Sequence, residues 1–176
     1  VPEVFDSLRG LGVIGRAFHA GIAELHTHNP RDYATDRYRK VDDEPYGGGA
    51  GMVLKPEPLL TAIEDLSGDH TTVVYLTPDG EPLTTALARA FAQLDHVILI
   101  SGHYEGIDER VRENAVDREI SIGDYVLTNG TLPAAVLIDA VARQIPGILG
   151  EEMSLTQDSF SDNLLGFPQY TRPVEF

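Results

Sequence analysis

The sequence contains no cysteine in its 176 residues. That excludes a disulfide framework, a thiolate metal site and a cysteine nucleophile, and it fits a cytosolic setting. No run of 18 apolar residues occurs, so no membrane-spanning helix is expected. No secretory signal pattern opens the chain. Positive charge is scarce: 13 Lys and Arg stand against 28 Asp and Glu, a net charge of −15 at pH 7. This argues against broad attraction to nucleic acid, so any such contact has to rest on a local arrangement. What is present is ordinary globular composition, 42% hydrophobic and 23% charged, in a length suited to one core-bearing domain. The first residue is Val rather than Met, and the true N-terminus is expected upstream.

Phe5, Leu8, Leu11, Ile14 and Phe18 recur at helical spacing and predict one helix over 4–20, stopping before Gly21. Residues 22–28 alternate as a half-buried strand does, until Asn29-Pro30 breaks the pattern. His26 and His28 there are strand neighbours on one face, or a metal pair. Residues 29–52 form a long polar connection that carries Arg31, Arg37, Arg39 and Lys40 among Tyr33, Tyr38 and Tyr46. Two readings stand. The cations and aromatics suit RNA, pairing phosphates and stacking bases; alternatively the loop is solvated and balanced by Asp42, Asp43 and Glu44. The run Gly47-Gly48-Gly49-Ala50-Gly51 lacks the Lys and Ser/Thr of a phosphate loop.

Residues 56–66 predict a helix with Pro near its first turn. A buried strand follows over 72–76, then the turn Thr77-Pro78-Asp79-Gly80 and an amphipathic helix over 83–94. The chain is organised around residues 96–130. A buried strand at 97–100 empties into the Gly-containing turn 101–106. A short charged helix follows, then Glu119–Gly123 and a second Gly-bounded loop ending Thr128-Asn129-Gly130. A helix over 131–145 comes next, with Pro133 in its first turn and Asp139 one turn before Arg143. This alternation predicts an α/β fold with a mainly parallel sheet and helices on both faces. In such sheets ligands bind at the carboxyl ends of the strands, where glycine lets backbone approach closely. Residues 151–176 lose all periodicity and read as a linker.

Five blocks together resemble the bacterial tRNA (guanine-N1)-methyltransferases of the SPOUT superfamily. They are VDDEPYGGGAGMVLKPEPL (41–59), LTPDGEPL (76–83), ISGHYEGIDERV (100–111), EISIGDYVLTNGTLPAAVLIDAVARQIPGILG (119–150) and DSF…GFPQYTRP (158–173). The resemblance implies a SPOUT-type deep trefoil knot in the C-terminal part and a homodimer with each active site at the subunit interface. It also implies methyl transfer from S-adenosylmethionine to N1 of the guanosine beside the anticodon (position 37) of tRNA, in the cytoplasm and with no membrane partner. On this basis residues 1–150 are the cofactor-binding catalytic domain. Residues 151–176 are then an interdomain linker, and a C-terminal tRNA-binding domain lies outside this chain.

Matching positions assign Tyr75, Leu76, Thr77 and Pro78 to one cofactor loop. Gly102, Tyr104, Glu105 and Gly106 fall to a second, and Ile122, Gly123, Tyr125, Leu127, Gly130 and Pro133 to a third. Asp158 and Arg143 match the catalytic pair: Asp158 as base for the guanine N1 proton, Arg143 as the fixed cation facing O6. Without the resemblance, Asp158 reads as a cap before Ser159 and Arg143 as the partner of Asp139. Glu105 also offers an oxygen to a divalent cation such as Mg²⁺. The chain departs from the family at His103, where Arg is usual, and at Asn129, where Gly is usual. Asn tolerates left-handed backbone and is expected to keep that loop, whereas His103 puts a charge at its position in question at neutral pH.

Overall fold

The computed structural model describes residues 3–10, 12–149, 158–160, 165–173 and 175. In chain order these form α1 (Glu3–Gly10), α2 (Gly12–His19), β1 (Asp42–Asp43), β2 (Val53–Leu54), α3 (Pro56–Leu66), β3 (Thr71–Pro82) and α4 (Thr85–Phe91). Then come β4 (His96–Ser101), α5 (Glu109–Ala115), β5 (Arg118–Ser121) and α6 (Thr131–Ala142). Among the described residues no helix is long and apolar enough to cross a membrane.

The expected α/β architecture is present. β3 lies between β4 and β5 and runs parallel to both. Its residues Val73 to Thr77 are all buried, because helices cover both faces of the sheet. Successive side chains on a strand point to opposite faces, and the two cores divide accordingly. Val73 and Tyr75 pack with Leu59 and Ile63 of α3 and Val111 of α5. Val74 and Leu76 pack with Phe91 of α4 and with Ala134 and Leu137 of α6. A separate hairpin pairs β1 with β2.

Local signals set the helix ends. Pro56 occupies the first turn of α3. The Thr84 hydroxyl caps α4 by accepting from the Leu87 N–H at 3.2 Å, and the Asp108 carboxylate caps α5 by accepting from the Arg110 N–H at 3.0 Å. Each cap satisfies an amide that the helix itself leaves unpaired.

Three expectations need correction. The helix expected over 4–20 is two helices, α1 and α2, interrupted where Gly12 takes φ +49, a conformation glycine adopts at little cost. Residues 22–28 keep the alternating exposure of a strand but join no ladder among the described residues. Periodicity reports burial of one face and says nothing about whether a partner strand is there. The turn expected at Thr77–Gly80 lies inside β3: Leu76 and Glu81 both oppose Ile120 of β5, so the residues between them stand out of the ladder.

The connection over 29–52 is folded. Asn29 caps a single 3₁₀ turn over Pro30–Tyr33 by accepting from the Arg31 N–H at 3.1 Å. The Tyr33 hydroxyl donates to Asp65 of α3 at 2.9 Å. The Asp36 carboxylate accepts from the backbone N–H groups of Tyr38 (2.8 Å) and Lys40 (2.9 Å). Half of the expected linker over 151–176 falls outside the described residues.

Candidate active site

The cavity lies at the carboxyl ends of the three parallel strands. It has a volume of about 200 Å³ and is walled by the β3 excursion, the turn after β4 and the loop between β5 and α6. All the residues assigned to the three cofactor loops line it, although they come from three separate stretches of sequence. His103, Ile120, Ser121, Val126, Thr128 and Asn129 also line it. These were not singled out beforehand as cofactor residues. All but Ile120 sit directly beside an assigned position, so adjacency was the signal available.

Backbone packing shapes the walls. Tyr75 is buried beneath the turn after β4. A Cβ on Gly102 or on Gly106 would stand 3.1 Å from its ring or hydroxyl. The two Gly loops meet directly: the Gly130 N–H donates to the Gly102 carbonyl at 2.8 Å, and a Cβ on Gly130 would lie 2.9 Å from the Ser101 Cα. The glycine run after residue 46 reaches the same rim. There the Glu105 N–H donates to the Met52 carbonyl at 3.1 Å, and Gly51 is close enough that a Cβ would meet the Glu105 carboxylate. That run thus serves as backing for the Glu105 turn.

The two family departures resolve differently. Asn129 does not use left-handed backbone; its φ is not positive. It keeps its loop through its side chain, which accepts from the Thr131 N–H at 2.9 Å, while its backbone bridges His103. Burial pushes the His103 imidazole below its usual value, so it is neutral at neutral pH. Burial likewise raises the Tyr75 phenol, which therefore stays uncharged. Among the described residues Glu105 is then the one charged side chain on the wall at neutral pH. Such a wall suits a cationic ligand.

Arg143 and Asp158 are brought together, but away from this cavity. The Arg143 Nη2 donates to the Asp158 carboxylate at 2.6 Å, with the two side chains 42% and 37% exposed. Arg143 caps the C-terminal end of α6, whereas Gly130 and Pro133 of the cavity lie at its N-terminal end. Twelve residues of helix separate the ends, roughly 18 Å at the α-helical rise.

The candidate metal residues do not gather. Among the described residues there is no group of three or more His, Asp or Glu placed to hold an ion. His26 pairs instead with Glu24 at 2.9 Å.

The whole chain, residues 1–176, matches the family described as tRNA (Guanine-1)-methyltransferase TrmD. The chain belongs to that family. Three similar proteins carry the name tRNA (guanine-N(1)-)-methyltransferase. One, from Synechococcus sp. (strain RCC307), is 61% identical over an alignment covering 100% of this chain and 75% of that protein. Another, from Synechococcus sp. (strain WH7803), is 56% identical across 99% of this chain and 73% of its own length. A third, from Staphylococcus epidermidis (strain ATCC 12228 / FDA PCI 1200), is 49% identical across 99% and 72%. In this methyltransferase family member the cavity and the Arg143–Asp158 pair lie at opposite ends of α6.

Proposed function

We propose that this chain transfers a methyl group from S-adenosylmethionine to N1 of the guanosine at position 37, beside the anticodon, in tRNA. The observation that carries the reading, beside family membership, is the cavity: three assigned loops converge on one space whose wall, among the described residues, carries an acid and no cation. S-adenosylmethionine, when bound, supplies an electrophilic methyl group on a positively charged sulfur. Backbone at Gly102, Gly106 and Gly130 would border it, with Glu105 as the complementary charge. Keeping His103 neutral avoids repulsion at close range.

Guanine N1–H and O6 are adjacent, a donor beside an acceptor. The Asp158–Arg143 pair is adjacent too, an acceptor beside a donor, and matches that edge. Asp158 takes the N1 proton, and Arg143 donates to O6 as negative charge builds there. In-line transfer needs N1 at near-attack distance from the donor carbon. Within one chain the pair stands roughly 18 Å of helix away from the cavity. The geometry is therefore best met by a homodimer in which one subunit's pair serves its partner's cavity. A mostly apolar groove beside the cavity, lined by Val4, Val126, Leu127 and Leu132 with three polar residues, and with Val126 82% exposed, supports this reading. Among the described residues Glu105 is the one carboxylate on the wall that could ligate a divalent cation. A cation there would keep most of its water, and no step here runs through one.

The deciding experiment is methyl transfer to a tRNA transcript by full-length protein, with S-adenosylmethionine binding followed by calorimetry. Transfer to guanosine 37 and none to the same tRNA with adenosine at that position is expected. Transfer elsewhere would reassign the substrate. A mixing experiment checks the shared site. A variant disabled in the cavity, Gly106→Val, and one disabled in the pair, Asp158→Asn, should each be inactive alone. Together they should recover activity through heterodimers with one intact site. No recovery from subunits shown to exchange would place the whole site within one chain.

The loop over 29–52 is the natural tRNA contact on so acidic a chain. Arg37 lies 5.8 Å from the exposed Tyr38 ring, a stacking and phosphate-pairing combination. The carboxylate of Asp36 is occupied by backbone N–H groups. Reversing Arg37 and Lys40 to Glu should raise KM for tRNA and flatten its salt dependence, with cofactor affinity unchanged. An unaltered salt slope would move the RNA contact elsewhere.

A further inference from the structure

The Thr77–Gly80 excursion carries two cavity residues, Thr77 and Pro78, yet it has no register partner in either neighbouring strand. Something other than the ladder has to hold it. The Thr77 hydroxyl donates to one oxygen of Asp79. The other Asp79 oxygen accepts from Arg112 Nη2 at 2.9 Å. Arg112 is in turn anchored to β5: its Nε and Nη2 reach the two Glu119 oxygens at 2.8 and 2.6 Å. Glu109 adds a looser contact at 3.4 Å. The Arg112 guanidinium also lies 5.8 Å from the Tyr75 ring, the floor under the Gly102–Gly106 turn. Close packing reinforces the arrangement, since a Cβ on Gly80 would fall 2.5 Å from the Glu119 backbone.

We propose that Arg112, acting through Asp79, is a positioning residue that presets the Thr77–Pro78 wall for S-adenosylmethionine; this rests on the cavity reading above. A planar fork can satisfy Glu119 bidentately and still direct one N–H at Asp79, which an ammonium cannot do as well. The Arg112 side chain is 24% exposed and that of Glu119 29%, so this anchor is shielded from solvent. The Asp79 end is open, at 62%. The strong half of the network fixes the cation, and the cation fixes the loop. A loop ordered beforehand does not have to be ordered by the ligand. A plain ion pair between α5 and β5 would also involve Arg112, but it would have no use for Asp79.

The test compares Arg112→Gln, Asp79→Asn and the double variant, each first shown to be folded by circular dichroism and thermal melting. Calorimetry with S-adenosylmethionine gives Kd, and steady-state methyl transfer by full-length protein separates KM from kcat. Each single variant should weaken binding about tenfold, the cost of ordering a loosened loop. The double variant should lose no more than the worse single, because the two residues act in series. KM for the cofactor should rise while kcat at saturation holds. Arg112→Lys should fall between parent and Gln. Parent-like Kd in Asp79→Asn, or losses that multiply in the double variant, would overturn the proposal. So would a drop in kcat at unchanged KM, the mark of lost folded enzyme. Failure of the parent itself to bind S-adenosylmethionine would instead remove the cavity reading and this inference with it.

Discussion

Asp158→Asn is expected to lower kcat by roughly 10²- to 10⁴-fold, the usual contribution of a positioned proton acceptor. The substitution keeps the size of the side chain and can still accept from Arg143, whose Nη2 lies 2.6 Å from the carboxylate. What it removes is basicity, and N1 of guanine is a poor nucleophile until its proton leaves. Proton removal matters only on the way to the transition state. Affinity for S-adenosylmethionine should therefore stay at the parent value, since the cavity does not include Asp158. Rapid-quench methyl transfer with full-length protein and saturating tRNA measures the chemical step directly. If Asp158→Asn reacts at the parent rate there, Asp158 is a structural partner of Arg143. The base would then be sought on the cavity wall, starting with Glu105.

Gly106→Val is expected to abolish measurable S-adenosylmethionine binding while leaving a folded protein. Two separate costs arise at this position. Gly106 has φ +122, a conformation a β-branched residue adopts only with strain. A Cβ there would also stand 3.1 Å from the Tyr75 hydroxyl, and Tyr75 is too well buried to swing aside freely. The turn has to move, and it moves where the ligand lies. The strand ladder behind it ends at Ser101, so the sheet itself is not interrupted. Calorimetry and a thermal melt together settle the matter: a folded variant that binds as the parent does would place the cofactor away from this turn. Gly106→Ala should be milder, since it adds the same Cβ without the branch.

The elements legible in the sequence were those whose cause is local. Pro56 begins α3 as expected, and its last residue is Leu66. The β-branched run before Leu76 is the central strand, buried on both faces as an unbroken apolar stretch should be. The Gly turns at strand ends could be seen to allow close approach, although not what they approach. The split of the first helix at Gly12 was less legible, because the apolar residues Phe5, Leu8, Leu11, Ile14 and Phe18 recur every three or four positions straight through the break. Residues 22–28 misled for the opposite reason: the alternation of exposure is present, but ladder formation depends on a neighbour.

The sequence by itself determined the α/β class, the parallel sheet and the three loops at its carboxyl edge, because periodicity, glycine and proline act over a few residues. Its family blocks identified the chemistry. Tertiary structure alone decided the rest. It bulged β3 so that Asp79 meets Arg112, residues separated by 33 positions. It partly shielded His103 from solvent, which pushes the imidazole below its usual value and further favours the neutral form. It also set the Arg143–Asp158 pair at the far end of α6 from the cavity. Each of these depends on groups distant in sequence meeting in space, where burial and charge act through distance rather than through order along the chain.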